Sequence, residues 1–388
     1  MWCLQRVDSS LGLYCFRTAP FHIPNYCLRS LKMKFSNSAC VYLITCIFIF
    51  LSCCGGSDKT FKNQGMIMIP FKGLTRSDFW TVSPVRGKIS TFSKINNSFS
   101  VYSTSGELLD SYKTSSNYYD KFSFSYIDKK VNVLPKESNE IHIHENGVVK
   151  VYSCETNDVL APLYFPLEID STGHLFLYSI PNLNIGIPQQ RKEYFNSNIL
   201  KYCSIVDSSI VIEQHFGHFP EVYRSEYWNE FYPIATKVDS RKMAYVFSAE
   251  PILYIYNCEN RETTTIELSI TPNNLSPVNI DSTMSYTYIM RYELGAEKYV
   301  KLLYDSSRDH FLIFKVSRVE SESNHFERST WHDKELTVFA IDSGGELLAV
   351  KNLGNVGRYH LGSFFTSDGV AYLGTFATDT LAYEKWTY

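Results

Sequence analysis

Short runs in which apolar and polar residues alternate recur along most of the chain. One recurring unit is an apolar strand, a turn built on Asp or Ser-Asp, and a second apolar strand. Alternation with a period of two predicts half-buried β-strands, and an aspartate between two such runs predicts a tight hairpin turn. The six copies of this unit lie at 122–134, 167–179, 203–214, 235–248, 301–316 and 362–376.

A second unit joins a strand of the Val-Tyr-Ser type, through a polar turn, to a strand that begins near Glu-Leu-Leu. Two hairpins make one four-stranded antiparallel sheet, and a series of such sheets is typical of a β-propeller. The 301 residues from Lys88 to Tyr388 divide into six repeats of about 50 residues, and seven repeats stay open as an alternative if 61–87 or 276–300 contains another. Copies of the second unit lie at 99–112, 148–163, 253–268 and 336–350, with weaker ones near 182–200 and 216–224.

The order of the two units predicts how the ends of the chain are joined. The first clear unit, at 99–112, is of the second kind, whereas the last, at 362–376, is of the first kind. We therefore predict an all-β fold, a β-propeller of four-stranded antiparallel blades, six of them in preference to seven. Its N-terminal and C-terminal hairpins share one blade, which shields strand edges that would otherwise pair with other chains.

The segment before the repeats follows a different pattern. Basic residues at 32–34 precede an apolar stretch from Ala39 to Leu51, which as a helix of roughly 20 Å is short of a hydrocarbon layer of about 30 Å. The sequence Phe50-Leu51-Ser52-Cys53 resembles the lipobox of bacterial lipoproteins, in which the cysteine is lipidated after cleavage of a signal peptide. A short membrane span or a core strand is the alternative interpretation.

The lipobox resemblance gives the domain organisation that we expect. Residues 1–32 are an over-extended start without structure, 33–52 are the signal peptide, 53–61 are the lipidated Cys53 and a flexible tether, and 62–388 are the propeller domain. The position after Cys53 is a cysteine and not the aspartate of inner-membrane retention in enteric bacteria. The resemblance therefore implies a lipoprotein anchored in the outer membrane, on its periplasmic or cell-surface face.

The charge of the chain argues against two classes of partner. The full sequence has 37 basic and 40 acidic residues. Removal of the first 52 residues, with five basic groups and one acidic group, leaves 32 basic against 39 acidic residues and a net charge of −7. A mildly acidic body without a Lys/Arg cluster lacks the positive surface that nucleic acids and anionic lipids require. We expect no nucleic-acid partner.

Cysteine spacing gives no sign of a metal or redox site. Seven of the ten cysteines lie at or before position 54, and the body contains Cys154, Cys203 and Cys258. None of the three has the spacing of a metal site or a redox pair. We predict three buried free thiols, with one disulfide as the alternative.

Several features together resemble an uncharacterised family of Bacteroidetes lipoproteins. They are the lipobox, the repeat period, and the segments 232–257 and 302–315. That family is predicted to fold as six-bladed propellers of the TolB-like or YncE-like kind, and the resemblance covers about residues 62–388. It implies the fold and carries no catalytic residue to this chain.

Common catalytic signatures are absent from the sequence. It contains no phosphate-binding G-x-x-x-x-G-K loop, no G-x-S-x-G elbow and no H-E-x-x-H helix. His142 and His144 lie on one face of a predicted strand and could share a metal ion, but no third ligand has diagnostic spacing. We therefore expect no cofactor and no metal site.

Three loops are rich in aromatic and charged residues. They are 214–230, 270–299 and 317–335. Loops on a rigid scaffold commonly carry binding sites, where rings stack on apolar faces and charged groups hold hydroxyls or carboxylates. The alternative is that the aromatic residues only pack the loops onto the body. The candidate ligand-binding residues are His215, His218, Tyr223, Arg224, Trp228, Arg291, Arg318 and Trp331.

Two functions remain open at this point. The first is a lipid-anchored cell-envelope module that binds a protein partner or a glycan. The second is a glycan hydrolase or lyase whose site is built from the propeller loops, by analogy with other propellers. Two carboxylates about 5–10 Å apart across an aromatic cleft would favour the enzyme, and a cleft without such a pair would favour binding.

Overall fold

The described part of the chain is almost entirely β. The computed structural model contains 24 strands in these residues, together with the short helices α1 (Pro188–Phe195) and α2 (Glu221–Ser225). The all-β prediction is therefore confirmed. The residues that the structure describes are 60–69, 82–85, 87–93, 96–114, 122–135, 138–161, 167–228, 232–275, 277–279, 281, 295–319, 332–377 and 380–388.

The first three groups of four strands follow one another along the chain, and each group is antiparallel in chain order. Sheet 1 contains β2 (Val82–Val85), β3 (Lys88–Ser93), β4 (Ser98–Ser103) and β5 (Leu108–Lys113). Sheet 2 contains β6 (Phe122–Ile127), β7 (Lys130–Pro135), β8 (Glu140–Glu145) and β9 (Val148–Cys154). Sheet 3 contains β10 (Val159–Ala161), β11 (His174–Ile180), β12 (Asn198–Val206) and β13 (Ser209–His218).

The remaining strands form three further groups, the last of which takes its fourth strand from the start of the domain. Sheet 4 contains β14 (Ile234–Lys237), β15 (Lys242–Val246), β16 (Ile252–Asn257) and β17 (Glu262–Glu267). Sheet 5 contains β18 (Lys298–Asp305), β19 (His310–Val316), β20 (Glu335–Asp342) and β21 (Leu347–Asn355). Sheet 6 contains β22 (Phe365–Ser367), β23 (Val370–Ala377), β24 (Thr380–Thr387) and β1 (Lys62–Ile69).

Sheets 2 and 3 are joined at their outer edges. A short parallel pairing of β9 with β13 places Ser209 beside Ser153 and Ile210 beside Cys154. The two groups thus make one continuous sheet of eight strands. Elsewhere in the described residues no strand ladder joins one group to another, and the groups meet through side chains.

Burial changes from strand to strand within a sheet. In sheet 4, β15 is buried at every position but the first, whereas β17 is exposed at five of its six positions. Strand β5 at the end of sheet 1 shows the same exposure as β17. A strand can be buried on both faces only when other layers cover both faces of its sheet, so the middle strands of these sheets lie between neighbouring sheets.

Each sheet shares an apolar cluster with the next one along the chain. Between sheets 4 and 5, for example, Val246 and Leu253 pack with Leu302 and Ile313. Similar clusters join sheets 1 and 2, 2 and 3, 3 and 4, and 5 and 6. The first strands are also neighbours, since β2 contacts β6, β14 contacts β18 and β18 contacts β22. The core is thus a series of layers between sheets.

The first and last strands of the described domain pair with each other. Strand β1 runs antiparallel to β24, from Lys62 beside Thr387 to Ile69 beside Leu381. Phe61, the last residue of the predicted tether, is buried at 8% exposure, and its ring centroid lies 5.5 Å from that of Tyr388. The two ends of the domain are therefore held together by a ladder and by aromatic packing.

This pairing corrects the prediction about the shared blade. The hairpin at 99–112 lies in sheet 1, whereas the hairpin at 362–376 lies in sheet 6. The N-terminal part of the domain supplies sheet 6 with one strand, β1, and not with a hairpin. The sequence hid this strand because β1 starts with three polar residues and a glycine, and the four residues after Gly65 are all apolar and do not alternate with polar ones.

Most of the predicted hairpins are present, and the exceptions fall at sheet boundaries. Residues 167–170 form no strand. The unit at 148–163 contains β9 and β10, which belong to different groups. The weaker copies near 182–200 and 216–224 contain α1 and α2. The hairpins that the structure confirms are those at 99–112, 122–134, 203–214, 235–248, 253–268, 301–316, 336–350 and 362–376.

The predicted aspartate turns are built in two ways. In one group the aspartate adopts a left-handed backbone, with φ of 50° at Asp128, 54° at Asp207 and 52° at Asp368. In the other group its carboxylate accepts a hydrogen bond from the backbone N–H two residues later, as Asp170 and Asp305 do from Thr172 and Ser307. Both arrangements are local turn chemistry.

The cysteine prediction is confirmed within the described residues. Cys154, Cys203 and Cys258 are free and buried. Burial raises the pKa of the Cys154 thiol, so this side chain is held in its neutral form. None of the helices in the described residues is long and apolar enough to cross a bilayer.

The contact of Phe61 with the last residues gives a first testable prediction. Replacing a buried phenylalanine with alanine removes apolar contacts and leaves a cavity, which costs about 3–5 kcal/mol. We expect Phe61→Ala to lower the free energy of unfolding, measured by urea titration, by about 3 kcal/mol. Met66→Ala is the matched control, because Met66 lies on β1 but is 54% exposed. Equal, small effects of both substitutions would contradict the prediction.

A second prediction concerns acid stability. Burial, and then the nearby Lys301 ammonium, lower the pKa of His360 to about 4. The unfolded chain takes up a proton near pH 6.5 that the folded chain excludes. The contribution of neutral His360 to the free energy of unfolding is therefore fully present above pH 6.5, and it is lost as the pH falls from 6.5 towards 4.

The measurement is the free energy of unfolding by urea at pH 7 and at pH 5. We expect wild type to lose stability between these values, and His360→Phe, which keeps a buried ring but binds no proton, to lose about 1–2 kcal/mol less. The same loss in both proteins would show that His360 takes up no proton on unfolding.

Candidate functional site

A cleft of about 660 Å³ lies where the outer strand of sheet 3 meets sheet 4. Strand β13, the turn at Phe219 and Pro220, and Arg224 of α2 form one wall, and β15, β16 and β17 form the other. Its volume falls within the range of about 300–1,000 Å³ that is typical of ligand sites. The lining residues are Asn198, Glu213, Gln214, His215, Phe216, Gly217, His218, Phe219, Pro220, Arg224, Tyr245, Tyr254, Tyr256, Arg261, Thr263 and Thr265.

Aromatic pairs form the base of this cleft. Phe216 of β13 stacks on Tyr256 of β16 with ring centroids 4.1 Å apart and planes 7° apart. Tyr245 stacks on Tyr254 at 5.1 Å and 11°. Tyr254 is half-buried, whereas the other three rings are buried. Stacked rings stabilise both walls, and the ring of Tyr254 remains partly available to a ligand.

Hydrogen bonds fix the two walls against each other. The Tyr256 hydroxyl donates to Oε1 of Gln214 at 2.5 Å, and Nε2 of Gln214 donates to the backbone oxygen of Cys258 at 2.9 Å. Both bonds cross from sheet 3 to sheet 4. The cleft is therefore a rigid, preformed feature of the packing between two sheets.

The segment 214–230 supplies three of the predicted residues to the cleft. It begins on β13, turns at Phe219 and Pro220, and continues as α2. His215 and His218 are exposed, and Arg224 is half-buried with its guanidinium 3.1 Å from the Glu221 carboxylate. Burial, and then the neighbouring Arg224, lower the pKa of His218. The structure thus brings together two imidazoles and one guanidinium from this segment.

Two aromatic residues of the same segment belong to the core and not to the lining of the cleft. Tyr223 has no exposed surface, and its hydroxyl accepts a hydrogen bond from the backbone N–H of Ala249 at 3.1 Å. Trp228 is 7% exposed, and its Nε1 donates to the backbone oxygen of Val222 at 3.2 Å. These rings pack α2 onto the body, which is the alternative that the sequence left open for the aromatic residues.

Among the remaining predicted residues, Arg318 does not line this cleft. Arg318 follows β19 and lies near Glu297. Burial acts to raise the pKa of the Glu297 carboxyl. Hydrogen bonds from Lys315 and from the backbone N–H of Asn274 outweigh this effect, and the charge of Arg318 adds to them, so that the pKa is lowered overall. Cys53, Arg291 and Trp331 lie outside the described residues.

His142 and His144 of β8 contact neighbouring protein side chains. His144 is 1% exposed, and its Nδ1 lies 3.5 Å from the Tyr112 hydroxyl. His142 lies 3.4 Å from the Glu140 carboxylate. Burial, and then His142, lower the pKa of His144 to about 4. In the ranges that the structure describes, no group of three or more His, Cys, Asp or Glu side chains is arranged to hold a metal ion.

Some residues of the site were missed in the sequence. Tyr245, Tyr254 and Tyr256 lie on strands that were assigned only a structural role. Lys201 is 3% exposed in the middle of β12 and contacts His215 across the ladder. A lysine inside the apolar run 198–206 is a visible signal, because lysine is almost never fully buried unless it is paired.

Comparison with known proteins gives the fold but no family. No protein-family model matches the sequence, and no curated protein matches it either. The structure is similar to that of a DUF4221 family member from Bacteroides vulgatus, with a TM-score of 0.62 and 9% identity over 85% of this chain and 99% of that one.

A second solved structure shows the same similarity. It is a protein from Bacteroides fragilis with the name "Putative exported protein", and its TM-score is 0.52 at 9% identity, over 84% of this chain and 96% of that one. At this identity the likeness concerns the fold alone. Together with the succession of four-stranded antiparallel sheets, it supports a β-propeller fold that is similar to uncharacterised Bacteroides proteins.

Proposed function

We propose that this chain is a binding module of the cell envelope, which holds a glycan in the cleft between sheets 3 and 4. The observation that carries the proposal is the preformed cleft itself, where the partly exposed Tyr254 lies among imidazole, guanidinium and threonine side chains. Aromatic rings stack on the apolar faces of sugars, and the surrounding polar groups can exchange hydrogen bonds with sugar hydroxyls.

The shape of the cleft favours a glycan over a folded protein partner. A stable protein interface needs about 1,000 Å² or more of buried surface with an apolar centre. The cleft has a volume of about 660 Å³, and the outer strand β17 that borders it presents Thr263 and Thr265. Hydroxyl-bearing side chains on a concave wall match a polar ligand better than a broad apolar one.

The lining of the cleft favours binding over hydrolysis. A glycoside hydrolase of the common kind requires two carboxylates that face each other about 5–10 Å apart. Among the described residues that line the cleft, Glu213 is the single carboxylate, and it lies 3.6 Å from Nε2 of His174. The hydrolase or lyase alternative therefore has no specific observation in its favour.

The proposal includes a closed ring of six blades. Sheets 1 to 6 are the blades, and β1 completes the last one. Contacts between sheet 6 and sheet 1 support this arrangement: the 3₁₀ turn Leu361–Ser363 contacts β2, and a Cβ placed on Gly87 would lie 3.7 Å from Oγ of Ser367. A closed ring leaves no sheet without a neighbour on either side.

We further propose that the module is tethered to the outer membrane through a lipid on Cys53. The lipobox sequence supports this anchor, and the similar Bacteroides fragilis protein has a name that refers to export. Several acyl chains at about 0.8 kcal/mol per buried CH₂ would give a stable anchor. Nucleic acid is not among the proposed partners.

Glycan binding is tested with substitutions on the cleft surface. We expect wild type to bind at least one member of a panel of oligosaccharides, measured by isothermal titration calorimetry. His218→Ala and Arg261→Gln each remove a polar group from an exposed position of the lining and should weaken binding by about three- to tenfold. Both are exposed, so that folding, checked by circular dichroism, should be unchanged.

The matched control is Lys113→Gln, which removes an exposed cation from the outer strand β5 of sheet 1. It should bind the same oligosaccharide as wild type does. Equal losses in the control and in the cleft variants would show that binding depends on general charge and would contradict the assignment of the cleft.

The anchor is tested by labelling cells with radioactive palmitate. We expect label to be incorporated into the wild-type protein and to be absent from Cys53→Ala, because lipidation requires the thiol. Cys54→Ala is the matched control and should keep its label. Label that survives in Cys53→Ala would disprove a lipid on this residue.

A further inference from the structure

We infer that the ligand cleft continues past His215 into a second cleft, and that the two together bind a linear oligosaccharide. This inference rests on the proposed glycan-binding function and specifies the length and the chemistry of the ligand. The second cleft has a volume of about 380 Å³ and shares Asn198 and His215 with the first. Its lining residues are Asn157, Asp158, Pro181, Asn182, Leu183, Glu193, Ser197, Asn198, Lys201 and His215.

A buried lysine fixes the residue at the junction. Nζ of Lys201 lies 2.8 Å from Nδ1 of His215, 3.0 Å from the backbone oxygen of Asn198 and 3.2 Å from Oδ2 of Asp158. The same Asp158 oxygen accepts a hydrogen bond from Oγ of Ser179 at 2.8 Å. An ammonium has three N–H donors and no acceptor, so all three donors of Lys201 are directed at these partners.

This arrangement decides the tautomer of His215. Because the ammonium can only donate, Nδ1 must be an unprotonated acceptor, and the ring proton lies on Nε2. Burial, and then the Lys201 charge, lower the pKa of the His215 imidazole, which keeps the ring neutral. His215 is exposed at the junction of the two clefts, so its Nε2–H is a preoriented hydrogen-bond donor there.

The lining of the second cleft indicates the chemistry of the ligand. Asn157, Asn182 and Ser197 offer amide and hydroxyl groups that match sugar hydroxyls. Because Asp158 is paired with Lys201, Glu193 leaves this cleft with a net negative charge, which would repel a carboxylate or sulfate. The part of the ligand that occupies this cleft is therefore a neutral sugar. At the junction of the two clefts, an oxygen of the oligosaccharide accepts a hydrogen bond from Nε2–H of His215.

The test is the dependence of affinity on ligand length. Purified protein is titrated calorimetrically with cello-, xylo- and manno-oligosaccharides of one to six units. We expect the dissociation constant to fall by at least tenfold between short members, which fill one cleft, and long members, which fill both. Long members should bind in a pH-independent manner above pH 7, where His215 is neutral.

Substitutions separate the two clefts. Asn157 and Asn182 are exposed and line only the second cleft. The double variant Asn157→Ala/Asn182→Ala should weaken long oligosaccharides by about tenfold and leave short ones unchanged. His215→Leu should weaken long members by about five- to tenfold, whereas His215→Gln, which retains a side-chain N–H donor, should recover part of the loss.

The positioning role of Lys201 has its own readout. Nuclear magnetic resonance of ¹⁵N-labelled wild type should show the His215 proton on Nε2 at pH 7.5. Lys201→Met should allow both tautomers and should weaken long oligosaccharides. If Lys201→Met does not fold, the tautomer of wild type and the Asn157→Ala/Asn182→Ala titration decide the matter.

The outcomes distinguish the two levels of inference. Wild type that binds no member of the panel would overturn the proposed glycan function and the continuous groove with it. Binding that is equal for short and long members, and unchanged in Asn157→Ala/Asn182→Ala, would overturn the groove and leave the first cleft as the binding site. A His215 proton found on Nδ1 would overturn the role of Lys201.

Discussion

Face-to-face packing of neighbouring sheets is the constraint on which the rest of this structure depends. Each pair of consecutive sheets shares an apolar cluster, and strands such as β15 are buried on both faces. A sheet with such strands is stable only between two neighbours. The pairing of β1 with β24 completes the last sheet and holds the two ends of the domain together, where Gln64 also donates a side-chain hydrogen bond to Thr387.

The candidate site is a consequence of the same packing. Where sheets 3 and 4 meet, the stacked Phe216 and Tyr256 fill the inner part of the interface. Beside these rings lies the cleft, which is bordered by polar side chains such as His218, Thr263 and Thr265. The buried Lys201 then links the outer end of β13 to Asp158 at the start of β10. Rigid surroundings of this kind can hold the His215 imidazole in one tautomer.

Local patterns predicted the strands and turns well and the boundaries of the sheets less well. The hairpins around Asp128, Asp305 and Asp368 follow from alternation and turn chemistry, which are properties of neighbouring residues. The unit at 148–163 looks like a hairpin, yet its two strands do not pair with each other and lie in different groups of four strands. A polar turn inside a sheet and a polar connection between sheets have the same composition, so that only pairing separates them.

The sequence alone determined the all-β class, most hairpins and the buried thiols. These follow from periodicity, turn residues and side-chain polarity, which act over a few residues. Tertiary structure decided that Tyr223 and Trp228 are core, that Asp158, Lys201 and His215 meet, and that β1 pairs with β24. Such contacts join residues that are far apart in the chain, and their formation depends on how whole sheets pack.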